Sequence, residues 1–198
     1  MARLFSIRPA MTLRGRKFKG IRGWAGKPTH PPLTDIPVTA YVFAAVFDLL
    51  SVIMSGAASH DAFVAATYTI VAGAVVSLAT ALTGFWDWWK GLDRDRSTGV
   101  LGKASHTQVW RTANWHMTVM LTVTAIVIVD IVVRLSQWDD GVTSGLVLVL
   151  SLLAGGLVAF GAAYGGSLVY DYQFNVEGLK GSTVWDETEE DQLPGKRV

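Results

Sequence analysis

The chain has 198 residues, of which 51% are hydrophobic and only 17% charged, against about 25% charged in an ordinary soluble domain. The formal net charge is +1 and cysteine is absent, which excludes disulfides, iron–sulfur ligation by this chain and any cysteine-based zinc site. Charge is almost missing from four long segments. A bilayer core about 30 Å thick needs roughly 20 apolar residues in a helix, and backbone groups in lipid find partners only inside a helix or a closed barrel. The expected fold class is therefore all-α, an integral membrane four-helix bundle. It divides into a basic N-terminal tail at residues 1–28, a membrane domain at 29–178 and an acidic C-terminal tail at 179–198.

The tail at 1–28 is basic and Gly-rich and has no apolar run that could serve as the core of a signal peptide. The first helix is thus expected to remain as an anchor. Eight Lys and Arg precede Asp35, the first carboxylate. Juxtamembrane cations attract anionic lipid at about 1 kcal/mol each, and an acidic protein surface would serve equally. Neither partner is a nucleic acid.

The first helix is expected at about 36–58. His30 lies six residues upstream in THPP, where Pro31 and Pro32 favour an extended, stiff segment. Asp48 falls twelve residues into the helix, near the midplane. An ionisable residue at that depth is a functional candidate by default. Asp48 has no partner in its own helix, and the expectation is a neutral acid bonded to Thr67, Thr69, Ser77 or Thr80. The second helix, about 62–86, follows an outer turn at 59–61 and carries the small-residue run AGAVVSLATALTG.

The third helix is expected at about 113–133, with His116 in its first turn. Asp130 lies late in it, and Arg134 is one turn on, at the spacing of a helical ion pair. The fourth helix, about 143–169, reads AGGLVAFGAAYGGS, whose Gly155, Gly161 and Gly165 allow close helix approach. Flat glycine surfaces also suit a planar cofactor. The acidic VWDETEEDQ of the last tail reads as a solvated segment.

Four helices put both termini on one side. Of the 17 Lys and Arg, sixteen lie in the two tails and the 88–112 loop, and Arg134 alone falls opposite. The positive-inside rule then places both ends in the cytoplasm. Trp86, Trp88, Trp89, Trp110, Trp115, Tyr170 and Tyr172 mark the cytoplasmic headgroup level. His60 and His106 read as solvated. His30 and His116 reach one depth, where two neutral imidazoles could be axial ligands of a haem iron. Hydrogen-bonded interfacial histidines are the alternative. Asp35 or Asp87 could orient a ring nitrogen or complete a metal site.

The motifs HPPLTDIP at 30–37, FDLL at 47–50, GFWDW at 84–88, R(x4)H at 111–116 and GGSLVY at 165–170 resemble a family of small predicted bacterial membrane proteins. That family has four helices and no assigned function. The resemblance covers about residues 29–178. Two departures are Gly26-Lys27-Pro28, where an upstream His-Pro often stands, and Met120, where an Asn is frequent. By resemblance the positions carried over are His30, Asp35, Asp48, Asp87 and His116. The resemblance also implies a bacterial cytoplasmic membrane location. Some relatives are fused to a Rieske-type ferredoxin domain, which hints at electron transfer.

The functional expectation is a non-catalytic membrane subunit of a larger redox or respiratory assembly, binding haem b through His30 and His116. Its partners would be the lipid bilayer and other membrane subunits. A purely structural or assembly subunit is the alternative. A proton or solute carrier built on Asp48 ranks third, because no inverted repeat or broken helix supports a pathway.

Overall fold

The computed structural model describes residue 21, residues 29–92 and residues 107–175. The rest of both tails, the loop at 93–106 and His106 lie outside the described residues. Four helices follow in order: α1 at His30–Ile53, α2 at Ala57–Gly91, α3 at Gln108–Ser136 and α4 at Gly145–Tyr170, with a 3-10 turn at Trp138–Asp140 before α4. No strand occurs among the described residues. Neighbours in the bundle run α1–α2, α2–α3, α3–α4 and α4–α1, so α1 and α3 face each other across a diagonal.

Every helix is long and apolar enough to cross a membrane, with mean hydropathies of 2.0, 1.9, 2.2 and 2.4. No more than 39% of any such apolar stretch is buried within the bundle. The remaining large side chains point outward, Leu82 and Leu78 among the most exposed. A water-soluble bundle would turn that surface inward, whereas lipid is a satisfactory partner for it. The centre is narrow and built from small or branched residues: Ala40, Ala44, Ile70, Val123, Val127, Ala154 and Val158 surround Tyr41. Gly73 permits the close approach of α1 and α2, since a Cβ there would lie 2.7 Å from that of Ala40.

Helix α1 begins six residues earlier than the sequence suggests. His30, Pro31 and Pro32 form its first turn rather than an extended lead. The first-turn N–H groups have no partner within a helix, so prolines cost nothing there. Pro37 lies inside α1 and is buried. Lacking an N–H, it frees the carbonyl of Leu33, and Thr80 Oγ1 of α2 donates to that oxygen at 3.3 Å.

The turn between α1 and α2 shifts with the helix, from the expected 59–61 to 54–56. Gly56 takes a backbone with φ of 60° there, a conformation natural to glycine. Ser51 Oγ donates to the Ser59 carbonyl at 2.9 Å and Ser59 Oγ to the Ser51 carbonyl at 2.6 Å. These reciprocal bonds clamp the hairpin and put Ser59–Asp61 inside α2.

The intramembrane charges converge at this end. Arg134 is not a loop residue: it lies within α3 and is fully buried. Its Nη1 and Nη2 donate to Asp48 Oδ1 and Oδ2 at 2.8 and 2.6 Å, and its Nε donates to Asp130 Oδ1 at 3.1 Å. Asp48 also accepts from Thr143 Oγ1 at 2.8 Å. Asp48 thus pairs bidentately with Arg134, close to the C-terminal end of α1, and not with the α2 hydroxyls. Its true partner has the geometry that carboxylates favour most.

Removing one member of such a buried group strands the opposite charge. Arg134→Leu should therefore cost about 3–5 kcal/mol, the range for a broken buried pair. Asp48→Leu combined with Asp130→Leu and Arg134→Leu should recover most of that loss. Unfolding in mixed micelles, followed by circular dichroism, checks both outcomes.

Candidate functional site

The opposite end of the bundle holds the histidines. His30 opens α1 and His116 sits in the third turn of α3, so the two come from diagonal helices and meet across the bundle axis. Both are half-buried. Their ring centroids are 6.4 Å apart and their planes are inclined at 76°.

Each ring is held the same way. His30 Nδ1 lies 3.0 Å from the carbonyl oxygen of Thr80 on α2. His116 Nδ1 lies 2.9 Å from that of Gly161 on α4. A carbonyl only accepts, so each Nδ1 carries the hydrogen, and in the neutral ring each Nε2 keeps its lone pair. This is the tautomer of a metal-ligating histidine whose outer partner is a backbone carbonyl.

A helix carbonyl is normally screened by the side chains one turn on, toward which it points. Here the residue four positions beyond each accepting carbonyl is a glycine, Gly84 after Thr80 and Gly165 after Gly161. The rings fill the space that a side chain would occupy. A Cβ at Gly84 would lie 2.6 Å from His30 Cε1, and one at Gly165 would lie 3.1 Å from His116 Cε1. These glycines give the imidazoles access to the carbonyls, and the first tolerates no substitute without moving the ring.

Thr80 has two tasks at this end: its hydroxyl meets the carbonyl freed by Pro37, and its own carbonyl orients His30. Sequence reasoning assigned it to Asp48 instead. Pro37 is the available signal, because a proline inside a membrane helix frees the carbonyl four residues back, which a donor on a neighbouring helix can then satisfy.

The two acidic candidates stand apart from the rings. Asp35 is exposed. Asp87 is buried, its Oδ1 accepts from the Ile21 N–H at 3.3 Å, and its backbone carbonyl accepts from Asn175 Nδ2 at 3.3 Å. It joins the segments flanking the bundle to α2. Backbone carbonyls occupy the orienting positions that Asp35 or Asp87 was expected to fill, because they lie directly beneath the rings. Among the described residues no group of three His, Cys, Asp or Glu has metal-ligating geometry. His60, expected to be solvated, is exposed and places Nδ1 3.0 Å from the Gly141 carbonyl, which links the two outer turns.

The spacing of the two rings has a chemical meaning. A ring nitrogen bound to a metal at about 2.0–2.1 Å puts the ring centre roughly 3.1 Å from the ion. Two imidazoles on opposite sides of one ion therefore have centres about 6.2 Å apart, close to the observed separation. Around the rings lie glycine-paved stretches of α2 and α4, and beside Gly84 the stacked cluster of Phe85, Trp88 and Trp89.

Residues 26–178 match the family model described as "Predicted membrane protein (DUF2231)". No curated protein and no solved structure matches the chain. The family match takes in all four helices, both histidines and the buried charges of the opposite end, and the chain belongs to this family of predicted membrane proteins.

Proposed function

We propose that this protein is a small membrane subunit that binds one haem b between His30 and His116 and serves electron transfer within a larger membrane assembly. The observation that carries the reading is the matched pair of Nδ1–H···O=C bonds at a ring separation of 6.4 Å. It leaves one lone pair on each Nε2 and holds each ring by its other nitrogen. Such preorganisation is what a ligand pair needs and a mere interfacial hydrogen bond does not. Among the described residues no third His, Cys, Asp or Glu joins the pair, a donor set that would suit a metal carried in a macrocycle.

When bound, haem b would supply one-electron chemistry, and His30 and His116 would hold it through Nε2. The chain's own residues hold and orient the ligands: Thr80 and Gly161 through their carbonyls, Gly84 and Gly165 through the space that they leave.

The same reading places the site at the cytoplasmic side of a bacterial inner membrane, with both termini inside. Its support is the distribution of cations. With Arg134 inside the bundle, the outer turns at 54–56 and 137–144 carry no Lys or Arg at all.

Two predictions test this. The purified, dithionite-reduced protein should show the absorption of a six-coordinate low-spin haem b, lost in His30→Ala and in His116→Ala with the bundle intact. Gly84→Ala should weaken haem affinity on the order of 10-fold or more, as loss of an outer-shell partner does, and Gly165→Ala should do less. A wild-type protein that retains no haem would instead favour a structural subunit. For orientation, the chain has no cysteine, so any labelled thiol is an introduced one. Ser55→Cys should react with an impermeant maleimide from outside intact cells, and Asp171→Cys should react only after the membrane is opened.

A further inference from the structure

The outer end of the bundle carries a second site, independent of the histidines. Asp48, Asp130 and Arg134 each expose 0% of their surface and form one contiguous group. The elements packed on it add no further charge: Thr143 donates its hydroxyl to Asp48, and the Phe63 ring of α2 lies 5.8 Å from the guanidinium. Two carboxylates and one guanidinium amount to one net negative charge if all are ionised. An uncompensated ion in such surroundings is strongly disfavoured.

The carboxylate oxygens are not equivalent. Both oxygens of Asp48 accept from Arg134. Asp130 Oδ1 accepts from Arg134 Nε and lies 3.0 Å from Nη2. Asp130 Oδ2 alone is buried with no hydrogen-bond partner. Arginine does not give up its proton in proteins, and of the four carboxylate oxygens Oδ2 of Asp130 is the one where a proton displaces no N–H donor. We propose that the triad is a proton-binding site, with one proton held on Asp130 Oδ2, so that Asp48, Arg134 and Asp130 together are neutral. A metal ion suits the place poorly. Hard cations gather about six or more oxygens, and three of the four carboxylate oxygens here already face N–H donors.

Infrared spectroscopy of the protein in lipid vesicles at pH 7 tests this directly. Wild type should show a carboxylic-acid C=O stretch that shifts in D2O, disappears in Asp130→Asn and moves without vanishing in Asp130→Glu. The neutral amide of Asp130→Asn replaces a neutral acid, so the variant should fold. If it does not, the Asp87→Asn protein with carboxyl-labelled aspartate, which keeps the triad and removes the other buried aspartate, should still show an isotope-shifted acid band. The proposal is overturned if neither protein has an aspartic-acid band, or if the band persists in Asp130→Asn. Stabilisation by Na+ or Ca2+ but not by choline, without an acid band, would also overturn it in favour of a metal ion.

Discussion

Helices α1 and α3 do not pack side by side, yet polar pairs join them across the bundle axis at both ends. Asp48 meets Arg134 at one end and His30 approaches His116 at the other. In lipid the apolar faces of helices gain nothing from preferring each other to the acyl chains, so association rests on close packing and interhelical polar contacts. A buried guanidinium aligned with a carboxylate through two parallel bonds fixes rotation and height together. With the outer end of the diagonal set in this way, the rise of α1 and α3 through the bundle brings the two histidines to one level at the other. The small-residue centre of Ala40, Ala44 and Ala154 then lets the four backbones come close enough for the short reach of an imidazole to matter.

The two hairpins solve one problem twice. In α1–α2 and in α3–α4, a histidine near the start of the first helix reaches a carbonyl of the second, four residues before a glycine. The accepting residues differ, Thr80 in one case and Gly161 in the other, and the separations along the chain are 50 and 45 residues. No repeat shows in the sequence, because the device needs little from it: a carbonyl, which every residue has, and a missing side chain one turn on. The geometry repeats where the letters do not.

Much of the fold could be read from residues alone, for physical reasons that apply position by position. Four nearly uncharged stretches of sufficient length leave few alternatives in lipid, and Asp130 with Arg134 one turn on reads as a local pair. Other features depended on contacts far apart in the chain. Arg134 stands 86 residues from Asp48, and its position near a helix end suggested a loop cation, so both its burial and the identity of Asp48's partner were hidden. The start of α1 was misplaced because proline signals extended chain in general but is harmless in a first turn. At the histidine end, the approach of the two residues to one level was legible. Their orienting groups were not, since a backbone carbonyl leaves no mark in a sequence.

Under the proposed function, His30 and His116 would together hold one haem iron, with ring planes inclined at 76° to each other. Electron paramagnetic resonance of the oxidised, haem-loaded protein is the most direct test. Perpendicular axial imidazoles leave the two π-symmetric d orbitals of low-spin ferric iron close in energy, which makes the signal strongly anisotropic. Rings inclined at 76° should therefore give a single, highly anisotropic low-spin species. A high-spin ferric signal, or the more moderate anisotropy of parallel rings, would contradict the account.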